Sequence, residues 1–141
     1  MKGFTTIHAG SARQALTRLR FVAQLADTSS ELPLSALNSL VSEAVDVVVH
    51  CARVRDVPRV TEIHTVEDLQ TGVDSSSFTT TELFSRARHD APLTWTGNLP
   101  VRCGRAFDEA GFDLRTLLDT GARLVEEPLG TARARAGGGG G

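Results

Sequence analysis

Between Ala44 and Val66 the apolar residues change from a helical to a strand period, and two β-branched runs follow one another. Val45-Asp46-Val47-Val48-Val49 continues through Cys51 to about Arg53, and a second run from Arg59 contains Val60-Thr61-Glu62-Ile63-His64-Thr65-Val66. Branching at Cβ stiffens χ1 and suits these side chains to a pleated strand. Arg55-Asp56-Val57-Pro58 separates the runs and reads as a turn, so the pair forms an antiparallel hairpin. The first run is nearly unbroken, the pattern of a strand covered on both faces.

Helical patterns precede this hairpin. Residues 4–8, Phe4-Thr5-Thr6-Ile7-His8, read as a short strand that ends at a histidine and crosses a glycine loop at Gly10. Ser11 with Gln14 three residues on is a capping box that opens a helix. Ala12, Ala15, Leu16, Leu19, Val22, Ala23 and Ala26 recur at helical spacing, with Arg13, Arg18, Arg20 and Gln24 off that stripe. Asp27-Thr28-Ser29-Ser30 is a polar break, and a second helix starts near Pro33 with Leu34, Leu37, Leu40, Val41 and Ala44 facing inward.

After the hairpin, Thr71 to Ser77 reads as a loop and Phe78 to Phe84 as a third strand. Leu93-Thr94-Trp95-Thr96 is a short fourth, ended by Gly97-Asn98-Leu99-Pro100. A short helix runs from Arg105 to Ala110 with Gly111 at C′, and Asp113 caps a last helix through Leu118. Residues 1–125 therefore form one domain. The tail from 126 to 141, with Arg133, Arg135 and a terminal run of five glycines, has no apolar face to bury and is expected to be disordered.

Composition narrows the classes of function. With 40% hydrophobic and 23% charged residues, the 141-residue chain is an ordinary globular domain. A net charge of −2, one lysine (Lys2) and a short basic tail give no footprint for nucleic acid. No apolar run reaches the roughly 18–20 residues of a membrane span, so no membrane insertion is expected. Cys51 and Cys103 lack CxxC spacing and are expected as reduced thiols, one disulfide between them being the alternative. His8, His50, His64 and His89 show none of the short ligand spacings of a zinc site, so no metal site is expected. Glu62 and Asp46 read as partners of arginines, and Trp95 as a packing residue.

The order of motifs carries a resemblance. Phe4 to Leu19, FTTIHAGSARQALTRL, resembles the His box of type II/IV secretion-system ATPases, most closely the CpaF/TadA-like branch that drives Flp or tight-adherence pilus assembly. The matching positions are Gly3, Thr6, His8, Ala9, Ser11, Ala15, Leu16, Arg18 and Leu19. The leucine-rich helix leading into Glu43-Ala44-Val45-Asp46, then Arg59-Val60-Thr61-Glu62-Ile63 and the strand ending Glu82-Leu83-Phe84, are similar to that family in the same order. So is Gly104-Arg105-Ala106-Phe107 through Asp113.

The resemblance implies an α/β fold: the C-terminal part of a RecA-like P-loop ATPase domain, its incomplete sheet bearing an antiparallel addition. It implies a hexameric motor at the cytoplasmic face of the membrane that uses ATP and Mg²⁺ and works with inner-membrane secretion or pilus platform proteins. His8 would then stand near the γ-phosphate as the catalytic residue, with Thr6 and Arg18 near the nucleotide. From the residues alone, His8 is a polar group bonded to a neighbouring loop, Thr6 a strand residue and Arg18 part of a solvated helix face.

Two departures from the family qualify this. Gly10 replaces the usual asparagine, and the 141 residues contain neither Gly-x-x-x-x-Gly-Lys-Ser/Thr nor a Walker B strand. Both elements precede the His box in the family, so Met1 is expected to be an internal methionine or the start of a truncated or split gene. The chain alone is expected neither to bind ATP tightly nor to hydrolyse it. The alternative is a non-catalytic module that assembles with, or regulates, a P-loop-bearing partner.

Overall fold

A computed structural model describes residues 3–26, 32–68 and 77–121. Its elements are α1 (Ala12–Ala26), α2 (Leu34–Ala44), β1 (Val47–Val54), β2 (Val57–Val66), β3 (Thr80–Arg86), β4 (Leu93–Trp95), α3 (Arg102–Glu109) and α4 (Leu114–Gly121). The strands form one open sheet in the order β1-β2-β3-β4, antiparallel throughout. The protein is thus a mixed α/β domain, and the hairpin read from the sequence is its first two strands.

The hairpin turn is tighter than four residues. Val54 pairs with Val57, so Arg55 and Asp56 alone make the turn, with φ of 52° and 65°. Positive φ at both central positions is the type I′ geometry, whose twist matches that of the flanking strands. Side chains other than glycine and asparagine are strained there. Arg55→Asn combined with Asp56→Gly should therefore raise stability by about 1 kcal/mol, seen as a higher urea midpoint at unchanged m-value. The exposed Arg55–Asp90 contact at 3.5 Å that this removes is worth little. A lower midpoint would contradict the turn assignment.

The core lies between α1, α2 and one face of β1 and β2. Leu16, Val41 and Val66 are its buried centre, with Leu19, Val45, Val48 and Phe78 packed around them. Phe78 goes to this cluster, and the third strand starts at Thr80, two residues later than expected. On α2 the buried row is Leu37, Asn38, Val41 and Ser42, whereas Leu34 and Leu40 are exposed. The inner face is rotated toward α1, where Arg20 Nη1 donates to Asn38 Oδ1 at 3.1 Å. Val22 and Ala26, at the far end of the α1 stripe, are exposed for want of a covering element among the described residues.

Two strand expectations are corrected. Residues 4–8 have no regular structure, and Phe4 is wholly exposed. A strand needs a neighbour to accept its N–H and C=O groups, and no described strand pairs with this segment. Nor is β1 covered on both faces. Its burial alternates, leaving Val47 and Val49 48% and 52% exposed, because α1 and α2 cover one side only and β1 is the sheet's edge.

At the other end of the chain, the α3–α4 corner follows the expected chemistry. Gly111 (φ 78°) donates to Asp108 O and Phe112 to Phe107 O, the paired bonds of a Schellman motif. Phe107 and Phe112 meet edge to face at 6.5 Å, which supplies the apolar contact that accompanies such ends. Asp113 caps α4 through the Thr116 N–H and hydroxyl, and those bonds, the hydroxyl's first, hold its carboxyl below the usual value.

Cys51 and Cys103 are both free thiols. Burial, then the Glu67 charge, pushes the Cys103 thiol up, away from reactivity. Among the described residues no helix is long and apolar enough to cross a membrane. The polar break at 27–30, nearly all of the 71–77 loop and the tail from 126 onward lie outside the described residues.

Candidate functional site

The sheet face covered by α1 carries ionisable side chains on three adjacent strands. His50 of β1 is paired with Glu62 of β2, and His64 of β2 with Glu82 of β3. Directly paired residues share a face, as do residues two apart on a strand, so all four side chains stand together. A bulge lies beside each pair: Thr61 is the extra residue of β2, and Leu83 that of β3. Bulges re-aim the side chains next to them. Here they set the His50–Glu62 and His64–Glu82 pairings.

Glu62 is the hub. Its Oε1 accepts the N–H of Ala12 at 3.0 Å, at the start of α1, where the helix dipole favours a carboxylate. Its Oε2 lies 3.0 Å from His64 Nε2, and Glu82 Oε1 lies 3.7 Å from the same nitrogen. His64 is 4% exposed, and its Nδ1 meets the Thr80 hydroxyl at 3.2 Å. His50 Nδ1 is 2.6 Å from Thr61 Oγ1 and 3.6 Å from Glu62 Oε1. His50 Nε2 faces the Ala9 carbonyl at 3.1 Å; a carbonyl only accepts, so this nitrogen carries a hydrogen. An open cleft of about 360 Å³ borders the cluster, lined among others by Gly10, His50, Glu62, Glu82 and His89.

The loop that leads into α1 is fastened to this cluster by its backbone. Besides the His50–Ala9 bond, Arg18 Nη1 donates to the His8 carbonyl at 2.6 Å, and the Gly10 N–H donates to Gln14 Oε1 at 2.5 Å. Ser11 Oγ accepts the Gln14 N–H at 3.1 Å, so the capping box is present with its return bond displaced by one residue, to Gly10. A Cβ at Gly10 would lie 2.9 Å from Gln14 Oε1, so a side chain here would push the glutamine aside.

Of the residues singled out from sequence, His8 and Arg18 are brought together, through the His8 main chain. The side chains of His8, Thr6 and Arg18 are exposed, and none of the three lines the cleft. Three others, His50, His64 and Glu82, carry no functional expectation from the sequence: the histidines lack the short spacing of zinc ligands, and Glu82 is only part of a strand. Glu62-x-His64 on an alternating strand was the available signal, since residues two apart share a face. Pairing His50 with Glu62 required the two-residue turn and the bulge at Thr61; a four-residue turn would set Cys51 opposite Glu62.

The arrangement offers a carboxylate–imidazole–carboxylate row, able to pass a proton or to bind a cation. Comparison with protein-family models, with curated proteins and with solved structures finds no match for this chain.

Proposed function

We propose that this chain is the His-box and C-terminal segment of a type II/IV secretion-system ATPase of the pilus-assembly branch, its sheet part of a RecA-like domain. The reading rests on the order of motifs from Gly3 to Asp113. What supports it in three dimensions is the His8 loop. Three side chains fix its backbone, while the His8 ring and the Thr6 side chain remain exposed. A loop held by its main chain and open at its side chains suits a group that must meet phosphate carried on another element. Phosphoryl transfer depends on such pre-positioned groups.

In this reading His8 stabilises charge developing on the transferred phosphoryl group. Arg18 sets the height of the His8 carbonyl, and Thr6 lies beside the nucleotide. ATP and Mg²⁺ are held mainly by a P-loop outside these 141 residues, within a homohexamer docked on platform proteins at the cytoplasmic face of the membrane. The lack of a P-loop motif in the sequence given also favours a second reading, a non-catalytic module that completes or regulates a P-loop-bearing partner.

The test combines gene context with kinetics. An in-frame Gly-x-x-x-x-Gly-Lys-Ser/Thr upstream of Met1 supports the motor. A stop codon there, with co-purification of a P-loop protein, supports the module. In the P-loop-bearing assembly His8→Ala should lower kcat by roughly a hundredfold or more, as removal of one transition-state donor does, without weakening ATP binding. The 141-residue chain alone should show no turnover; turnover abolished by His8→Ala would sink the proposal.

A further inference from the structure

The row on the sheet has a second reading, independent of any nucleotide. We propose that Glu62, His64 and Glu82 bind a divalent transition-metal ion, with Zn²⁺ the best match to the donor set. Each residue offers one ligand atom, and the three atoms lie within 4.8 Å of one another. Ligands about 2.1 Å from a tetrahedral zinc stand about 3.4 Å apart. The separations of Glu62 Oε2 and Glu82 Oε1 from His64 Nε2, 3.0 and 3.7 Å, bracket that spacing.

Second-sphere groups already orient the set. The Ala12 N–H occupies Glu62 Oε1 at 3.0 Å, leaving Oε2 for the metal. The Thr80 hydroxyl, 3.2 Å from His64 Nδ1, serves either tautomer. It donates to Nδ1 when Nε2 carries the hydrogen, and accepts from Nδ1–H when Nε2 holds a metal. Two carboxylates and a neutral imidazole balance a divalent charge. The buried imidazole favours zinc over magnesium, which prefers oxygen ligands and keeps its waters. Glu62 and Glu82 line the open cleft while His64 lies buried behind them, so three protein ligands leave a fourth position on the cleft side for water or a small anion, the pattern of reactive rather than purely structural zinc sites.

The experiment is calorimetric titration of Zn²⁺ into the chelator-treated full chain, without nucleotide, in a Cys51→Ser background that removes the exposed thiol. One equivalent should bind. Loss of a second-sphere partner alone costs roughly 10–100-fold in affinity, so Glu82→Gln and His64→Gln should each weaken binding by about a hundredfold or more. The Glu82 side chain is 43% exposed, so its variant should keep the metal-free melting temperature; it decides the matter if the variant of the buried His64 fails to fold. Stoichiometric binding that Glu82→Gln leaves unchanged, Mg²⁺ binding as tight as Zn²⁺, or no binding at all overturns the site. His8→Ala should leave zinc affinity untouched, which separates this site from the phosphoryl-transfer reading.

Discussion

Glu67→Ala should lower the unfolding free energy by roughly 3 kcal/mol or more, a large share of the stability of a domain this size. Glu67 is 7% exposed and stands just beyond the end of β2, yet its carboxylate starts α3. Oε1 accepts the Val101 N–H at 3.3 Å and the Thr65 hydroxyl at 3.1 Å, and Oε2 accepts the Arg102 N–H at 2.8 Å. The helix has no side-chain cap of its own. Truncation therefore orphans two amides at the positive end of α3, leaves the buried Thr65 hydroxyl only its longer bond to the Thr81 carbonyl at 3.4 Å, and opens space beside the sheet.

Glu67→Gln keeps the shape and loses the charge, so its cost should be smaller. Burial pushes the Glu67 carboxyl up, but bonds from Arg102, Thr81, Val101 and Thr65 outweigh it and hold the group below its ordinary value of 4.5. A carboxyl depressed in the folded state contributes stability above its unfolded value and loses it as pH falls through the folded one. The wild-type chain should therefore lose stability on acidification below about pH 4.5 more steeply than Glu67→Gln. Parallel curves for the two proteins, followed by urea unfolding at a series of pH values, would remove Glu67 from this role.

The same residue shows where sequence reading stops. Local signals carried the hairpin, both N-terminal helices, the Gly111 end of α3 and the Asp113 cap, because each is written within four residues. The start of α3 is not local. It was expected at Arg105 and lies at Arg102, held by a carboxylate 35 residues earlier. The buried row of α2 was misjudged for a like reason, since Asn38 is turned inward by an arginine on α1. At the candidate site, the Glu62–His64 pair was legible from strand alternation. His50 and Glu82 joined it only through register and two bulges, which no residue type announces. The strand expected at residues 4–8 has the right composition, but a strand is defined by its partner.

Arg102→Ala is the second substitution expected to cost heavily, about 2–3 kcal/mol. The side chain is 17% exposed and reaches from α3 back to the end of α2, where it donates to the Ser42 carbonyl, to the Val45 carbonyl at 2.6 Å and to Asp46 Oδ1 at 3.3 Å. The last turn of α2 holds no basic residue, so a guanidinium from 60 residues away supplies both the missing donors and the positive charge that a helix C-terminus favours. Arg102→Lys should recover only part of the loss, because one ammonium cannot span two carbonyls and a carboxylate as the planar fork does. The main chain of Arg102 is gripped by Glu67 and its side chain grips α2, so both residues act by docking α3. Once α3 is undocked by one substitution the other has little left to remove, and the double variant Glu67→Ala/Arg102→Ala should cost clearly less than the sum. Hydrogen exchange should then speed up in α3 and at the C-terminal turn of α2, while the β1–β2 amides beside His50 and Glu62 stay protected. Full additivity, or exchange spreading equally into β1 and β2, would mean that Glu67 and Arg102 brace the sheet rather than fasten α3 to it.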